Sequence, residues 1–244
     1  MKKLPLFLFC SVFYLFVNAQ DSKWSIGING SIDYSYHTIH DVEGTTISGS
    51  MLEDRKDTDE PRIGWATGMD VRYEIKPCLN ILSGLRYSEQ GFSHTLDNLA
   101  IGVVIDPTSG AIDESYSGPI VAVEYLVDCN YFEMPLALEK CWGTGRLKAR
   151  ASTGLIIALF VRSDSAPTYI YANETRRFPE PMSIKQREVH FMGQAGAGVV
   201  YSLSERLNVS LDLIGSHSFN YAERTRVGTL PWRIGLQAGC QFRL

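Results

Sequence analysis

Two histidine-bearing stretches and one acidic run hold the side chains that could do chemistry in this chain. His37-Thr38-Ile39-His40, followed by Asp41, offers two imidazoles and a carboxylate, the ligand types of a transition-metal site. On an extended strand, positions three apart point to opposite faces, so the two rings cannot share an ion and read as rim histidines. Gly215-Ser216-His217-Ser218-Phe219-Asn220 sets a hydroxyl on either side of an imidazole. A nucleophile and its base must come within hydrogen-bond reach, and adjacent strand residues do not. Glu53-Asp54-Arg55-Lys56-Asp57-Thr58-Asp59-Glu60 is dense in carboxylates but lacks the glycine of a calcium loop, so it reads as a solvated loop. Arg176, Arg177, Pro179 and Pro181 suit a stiff, basic loop able to touch an anionic surface. No catalytic, cofactor-binding or metal-ligating set emerges. The expectation is a protein that is not an enzyme and carries no cofactor.

The elements that must carry these residues show a period of two. In the stretch from Trp24 to Tyr36, apolar Trp24, Ile26, Ile28, Ile32, Tyr34 and Tyr36 alternate with small or polar residues. The same alternation recurs from Ile63 to Ile75, from Leu79 to Tyr87, from Leu147 to Leu159, from Val189 to Tyr201, from Leu207 to Tyr221 and from Trp232 to Leu244. A further strand lies within 121–138, where a phase change around Cys129 to Tyr131 predicts a bulge. That makes eight strands and no convincing helix. Tight connections (Lys76-Pro77-Cys78, Cys141 to Gly145, Ser204-Glu205-Arg206) alternate with long ones at 41–61, 94–120, 162–186 and 222–230. In an up-and-down meander, alternate connections share an end, so one rim is trimmed and the other shaggy.

The N-terminus predicts export. Lys2 and Lys3 precede an apolar run from Leu4 to Val17, and Val17-Asn18-Ala19 offers a cleavage site. The run is shorter than the about 20 residues a spanning helix needs. The expected division is a signal peptide at 1–19 and a barrel domain at 20–244. Phe9 before Cys10 argues against a lipoprotein. The chain is acidic, with a formal charge of −4, and no basic stretch interleaves with aromatics, so nucleic acid is not an expected partner. Cys78, Cys129, Cys141 and Cys240 remain after cleavage. Cys78 and Cys141 fall in turns at the same rim, and free thiols packed as small hydrophobes are the default reading.

Lipid, rather than a protein core, is expected against the apolar stripes. Soluble strands average about 5–6 residues, and these stripes are far longer. Trp24 and Tyr34, Phe191 and Tyr201, and Trp232 and Phe242 share one spacing at opposite ends of one face, with Trp65 and Tyr73 slightly closer. Those eight aromatics match the two girdles of a transmembrane barrel. The opposite face is rich in small residues and carries Asp70, Arg72, Glu74, Arg86, Lys148, Arg150, Asp212, Arg233 and Arg243. An eight-stranded barrel is just wide enough for its own side chains. Buried charges must be paired, so an interior salt-bridge network is expected. The fold class predicted is an all-β, eight-stranded antiparallel up-and-down transmembrane β-barrel.

GLRYSEQGF (84–92), YFEMPLALEK (131–140) and GAGVVYSLSERLNVSLDLIGSHSFN (196–220), in that order, resemble the PorT-type outer membrane β-barrel family. The last residue, Leu244, departs from the aromatic usual in that family. The resemblance implies residence in the cell outer membrane after Sec export. It also implies an accessory role in secretion or assembly for some members. Contacts with outer-membrane lipid and lipopolysaccharide, with envelope or secretion-system proteins, and a monomeric state are expected. Loops 41–61, 94–120 and 162–186 are the expected recognition surface. The alternative is a barrel enzyme acting on lipid A or phospholipid, since some eight-stranded outer-membrane barrels are deacylases with a His-x-Ser arrangement. Here, however, Phe219 stands two residues after His217, and Ser216 and Ser218 face the other side.

Overall fold

The computed structural model describes residues 23–42, 44–101, 120–171, 175–177, 187–222 and 227–244. The leader expected at 1–19, with Cys10, lies outside them, as do Pro179 and Pro181. Along the chain run β1 (Trp24–Asp41), α1 (Thr46–Thr58), β2 (Asp59–Lys76), β3 (Leu79–Ile101), β4 (Ile120–Trp142), β5 (Leu147–Tyr171), β6 (Thr175–Arg177), β7 (Val189–Ser202), β8 (Leu207–Ser218) and β9 (Val227–Arg243). Every long strand pairs antiparallel with its neighbours in sequence. β1 also pairs with β9 and β4 with β5, so the sheet closes on itself. The short β6 adds to the far end of β5. Eight long strands form the barrel. Closure leaves no sheet edge among the barrel strands, the condition for crossing a bilayer with strands.

Alternation decides which face meets which medium. In β1, Ile28 and Ile32 are 62% and 68% exposed, while Asn29 and Asp33 between and beside them are buried. The outward series on the other strands repeats this, through Met69, Leu85, Leu136, Leu155, Phe191, Leu213 and Leu236. So large and continuous an apolar exterior is not viable in water. Lipid covers the outside, and the fold is a transmembrane barrel with its polar face inward.

The trimmed rim is built as the sequence implies. Cys78 (φ 63°), Gly143 (φ 119°) and Gly145 (φ 103°) take the left-handed conformations that tight turns require. Ser204 Oγ accepts from the backbone N–H groups of Arg206 (3.3 Å) and Leu207 (3.1 Å) to close the third turn.

The other rim differs from expectation in three ways. The connection at 41–61 is not all loop: it contains α1, and Asp59 and Glu60 already belong to β2. The sequence hid this helix because Thr46–Thr58 carries no apolar stripe; its Arg55 and Lys56 sit in the last turn, where they complement the helix dipole. The connections expected at 94–120 and 162–186 are shortened chiefly at their starts, because β3 runs on to Ile101 and β5 to Tyr171, while β4 begins at Ile120 and β7 only at Val189. Finally, the bulge sits at the predicted level but on the neighbouring strand. Asn130 is registered against Arg162 and Tyr131 against Phe160, which makes Val161 of β5 the extra residue. It switches the inward series of β5 from Ile156 and Ala158 to Ser163 and Ser165.

The projecting parts of β3, β4 and β5 hold a cluster of Ile120, Val123 and Tyr171, packed against Tyr125 and Tyr169. Inside the barrel, toward that same end, Val127, Cys129, Tyr131, Ile156, Ala158 and Met192 form an apolar plug with Phe92 and Phe160.

Candidate functional site

Beneath the apolar plug the lumen is occupied by charge. Glu133 of β4, with 0% exposure, accepts from Arg233 (2.6 Å), Ser88 (2.6 Å) and Gln90 (3.1 Å). Arg233 also faces Asp33 at 3.8 Å. Closer to the trimmed rim runs a continuous chain of pairs. Arg86 and Arg72 flank Asp70, each at 3.3 Å, and Arg72 reaches Glu139 at 3.3 Å. Arg150 then links Glu139, at 3.1 Å, to Asp212. The Asn80 amide also donates to Glu139 at 3.0 Å. Desolvating an ion costs several kcal/mol, and only close geometry with further hydrogen bonds offsets it. Each carboxylate of this network has such partners.

Glycines on the inner face make room for it. A Cβ at Gly84 would come within 2.9 Å of Asp70 Oδ1, and one at Gly27 within 3.1 Å of Arg72 Nη1. Cβ atoms at Gly198 and Gly235 would collide with the carboxylates of Asp212 and Asp33. A narrow barrel seats long charged side chains only where the neighbouring strand carries none.

Asp70, Arg72, Arg86, Arg150, Asp212 and Arg233, named from the sequence, thus share the interior. Glu74 stands at the trimmed rim, half-exposed, and pairs with Arg243 at 3.1 Å. Glu133, Glu139 and Asp33 were missed. In YFEMPLALEK the signal was present, since Tyr131, Glu133, Pro135, Ala137 and Glu139 alternate with Phe132, Met134, Leu136 and Leu138.

The eight girdle aromatics lie on the outer side. Trp24 packs on Tyr73 (ring centroids 4.8 Å) near the trimmed rim, and Tyr34 on Trp232 (6.4 Å) near the other. Trp65 joins Tyr87 (5.7 Å) and Tyr87 joins Phe132 (5.5 Å), which extends the upper belt with residues that the sequence left unassigned. Phe191, Tyr201 and Phe242 are also exposed on the outer face.

A third cluster closes the far mouth, and it draws on two of the stretches read first from the sequence. His37 points inward and His40 outward, so the two histidines are on opposite faces. His37 Nε2 meets Asp59 Oδ2 at 2.8 Å, His94 Nδ1 meets Asp59 Oδ1 at 2.6 Å, and Arg55 of α1 meets Asp59 Oδ2 at 3.1 Å. Arg55 also lies over the Phe92 ring, 5.5 Å from its centroid. The run from Glu53 to Glu60 is therefore not a solvated loop: Arg55 and Asp59 turn inward and moor the helix. Burial would push the Asp59 carboxyl up, but hydrogen bonds from His37 and His94 and the nearby Arg55 charge hold it at about 2.

Thr58 Oγ1 lies 3.0 Å from His94 Nδ1, which completes a hydroxyl, imidazole and carboxylate set. Both contacts fall on the same ring nitrogen, however. A proton relay needs the hydroxyl on one nitrogen and the carboxylate on the other. The cluster is a clasp. Among the described residues no group of three or more His, Cys, Asp and Glu side chains is placed to hold a metal ion. At the His217 stretch, Ser216 and Ser218 are buried inside, while His217 is exposed on the lipid side. Ser216 accepts from Arg233 (3.2 Å) and Ser218 donates to Asn220 O (2.8 Å), so neither serves His217.

The lumen is blocked at mid-height and open at the trimmed rim. There a vestibule of about 590 Å³ is lined by residues including Lys23, Arg72, Glu139, Lys148 and Arg243.

Fold and site together define a class: an eight-stranded transmembrane barrel with a salt-bridged interior, a moored helix at one mouth and a projecting sheet. Solved structures of similar outline include Neisserial surface protein A, at 8% identity over 91% of this chain and 98% of that one (TM-score 0.48). Ail, the attachment invasion locus protein of Yersinia pestis, matches at 9% identity over 89% and 99% (TM-score 0.33). The outer membrane protease OmpT from Escherichia coli matches at 10% identity over 93% and 98% (TM-score 0.35). No family model and no curated protein matches the chain.

Proposed function

We propose that the protein is a non-enzymatic outer-membrane barrel whose projecting sheet, together with the long connections at that rim, recognises something at the cell surface. The observation that carries this reading is the continuation of β3, β4 and β5 past the aromatic belt into a sheet with its own tyrosine-rich cluster. A barrel needs only about 9–11 residues per strand to cross the bilayer. The excess strand is therefore available for contact outside it. The trimmed rim then faces the periplasm, and lipopolysaccharide surrounds the other.

A barrel-only variant, with 96–124 and 164–186 each replaced by a short turn, tests this. It should keep heat-modifiable migration in the outer-membrane fraction while losing attachment of intact cells to the immobilised glycans or proteins that the full chain binds. Equal attachment by both forms removes the surface role. The orientation of Ser216 and Ser218 away from His217 disfavours the lipid A or phospholipid enzyme. Unchanged lipid A acylation, by mass spectrometry with and without the protein, is the expected result.

A second reading follows from the open vestibule. A charged cup facing the periplasm suits an accessory of a secretion system, as the PorT-type resemblance implies. Photocrosslinking from Trp142 and Glu205 at that rim, compared with the projecting sheet, shows which end holds partners.

A further inference from the structure

Two cysteines face each other at the trimmed rim. Cys78 ends the β2–β3 turn, and the next residue, Leu79, is registered against Lys140 of β4. The Cys141 N–H donates to the Cys78 carbonyl at 2.8 Å, which makes Cys78 and Cys141 the next step of the same ladder. Directly opposed antiparallel residues have Cα atoms about 4.5–5.5 Å apart, inside the about 4.4–6.8 Å that a disulfide accepts. Both side chains are half-buried and both line the same vestibule, so the two Cβ atoms project to one side. The remaining pair has no such arrangement. Cys129 is registered against Gln90 and Ser163, and Cys240 against Ile28 and Val209.

We propose that Cys78 and Cys141 are a disulfide-forming pair that staples the β2–β3 turn to the end of β4 at the vestibule. The inference rests on the reading that this rim faces the periplasm, an oxidising compartment. The oxidant is a disulfide donor, either a protein oxidoreductase or a small-molecule disulfide. The Cys78 thiolate attacks one donor sulfur and releases one donor thiol. The Cys141 thiol then loses its proton and attacks the Cys78 sulfur of the mixed disulfide, releasing the second. Two electrons pass from the cysteines to the donor, and one S–S bond replaces another. Burial, with the Glu139 charge and neighbouring Cys78, pushes the Cys141 thiol up to about 11. The thiolate is the attacking species, so Cys141 is poorly suited to start the exchange and takes the resolving role.

The staple closes a loop through β3 and β4, the two strands that carry Arg86, Glu133 and Glu139. It would fix the rim end of both relative to β2.

The test uses the full chain, purified folded in detergent from membranes and treated with oxidised glutathione. Free thiols are then trapped with N-ethylmaleimide and the peptides mapped by mass spectrometry. The expected result is a linked peptide joining Cys78 to Cys141, with alkylation lost at both sites and restored by reductant. Alkylation of both cysteines without a linked peptide overturns the pair, as does stable glutathione capture on each. Trapping in intact cells, with fractionation, separates this from the membrane reading. Linked peptide from a chain recovered detergent-free in the soluble fraction would keep the pair and discard the membrane. Unlinked cysteines in a chain recovered from the outer membrane would discard the pair alone.

Discussion

Arg233 reaches across the barrel to Glu133 at 2.6 Å, and the two residues stand on strands as far apart as the ring allows. From β4 to β9 there are three intervening strands by either route. The pair is thus a strut across the lumen, made in a place that excludes water. Its lower counterpart, Arg72 to Glu139 to Arg150 to Asp212, runs around the wall instead. One braces the diameter and the other ties strands one or two places apart around the wall.

Breaking the strut on one side should be severe. Arg233→Met leaves the buried Glu133 carboxylate without its cation, a loss of about 3–5 kcal/mol by analogy with other buried pairs. Glu133→Gln leaves Arg233 only the longer contact to Asp33 at 3.8 Å, a smaller loss. The double variant should recover part of that loss, because the Glu133 and Arg233 charges go together. The part not recovered reports Asp33, which loses the cation it faces at 3.8 Å. Urea unfolding of the detergent-folded or vesicle-inserted barrel gives the double-mutant cycle. Additive losses would show that the two side chains are not coupled.

The outer face should refuse charge in a depth-dependent way. Leu236→Arg, at a position 57% exposed to the surroundings, should cost about 2–4 kcal/mol if lipid is the neighbour. Val42→Arg, beyond the end of β1, should cost little. Folding yields into vesicles and unfolding midpoints distinguish the two. A Leu236→Arg chain that folds normally without lipid or detergent would refute the outward lipid contact.

Gly235→Ala asks whether the interior glycines are seats for charge. Its Cβ would strike the Asp33 carboxylate, and overpacking of this kind costs about 1–3 kcal/mol. Adding Asp33→Ala should relieve the share of the penalty that the carboxylate causes, the contacts with the Ile32 carbonyl and Asp33 Cα remaining. A glycine needed only for close backbone approach would show no rescue at all. Gly30→Ala, where the nearest atom would be 3.7 Å away, is the control and should be nearly neutral.

How much of this was legible in the sequence varies with the physics behind each part. Alternation in β1, β2 and β5 reads directly, because a two-sided sheet between lipid and a polar lumen leaves one residue type per face. Glu133 and Glu139 obey the same rule and were readable, but the phase of β4 was obscured at Cys129 to Tyr131, where the irregularity belongs to β5. α1 was not readable: Thr46–Thr58 has no apolar stripe, and what moors it is Arg55 meeting Asp59 four residues on, at the start of β2, and the Phe92 ring of β3. Asp59 itself looked like one carboxylate in a solvated run. Only the extension of β3 to His94 and the inward turn of His37 bring its partners together, and both depend on strands continuing past the lipid, where no apolar stripe marks them.

The Asp59 clasp gives a pH signature with a definite sign. Its carboxyl lies at about 2, below an ordinary 3.8, so the charged form is favoured in the folded state. A depressed carboxylate stabilises fully above its unfolded pKa and loses that contribution as pH falls through the folded one. The Asp59 contribution should therefore be intact at neutral pH and disappear between about pH 4 and 2. Asp59→Asn isolates it from the other carboxylates: the difference in unfolding midpoint between native and variant chains should be large near neutrality and shrink across that acid window. A difference that persists unchanged at pH 2 would mean that Asp59 acts through packing alone. The helix should report the same transition, since Arg55 is moored by that carboxylate at 3.1 Å. Limited proteolysis within 46–58 should accelerate in Asp59→Asn at neutral pH, while the barrel strands below stay protected.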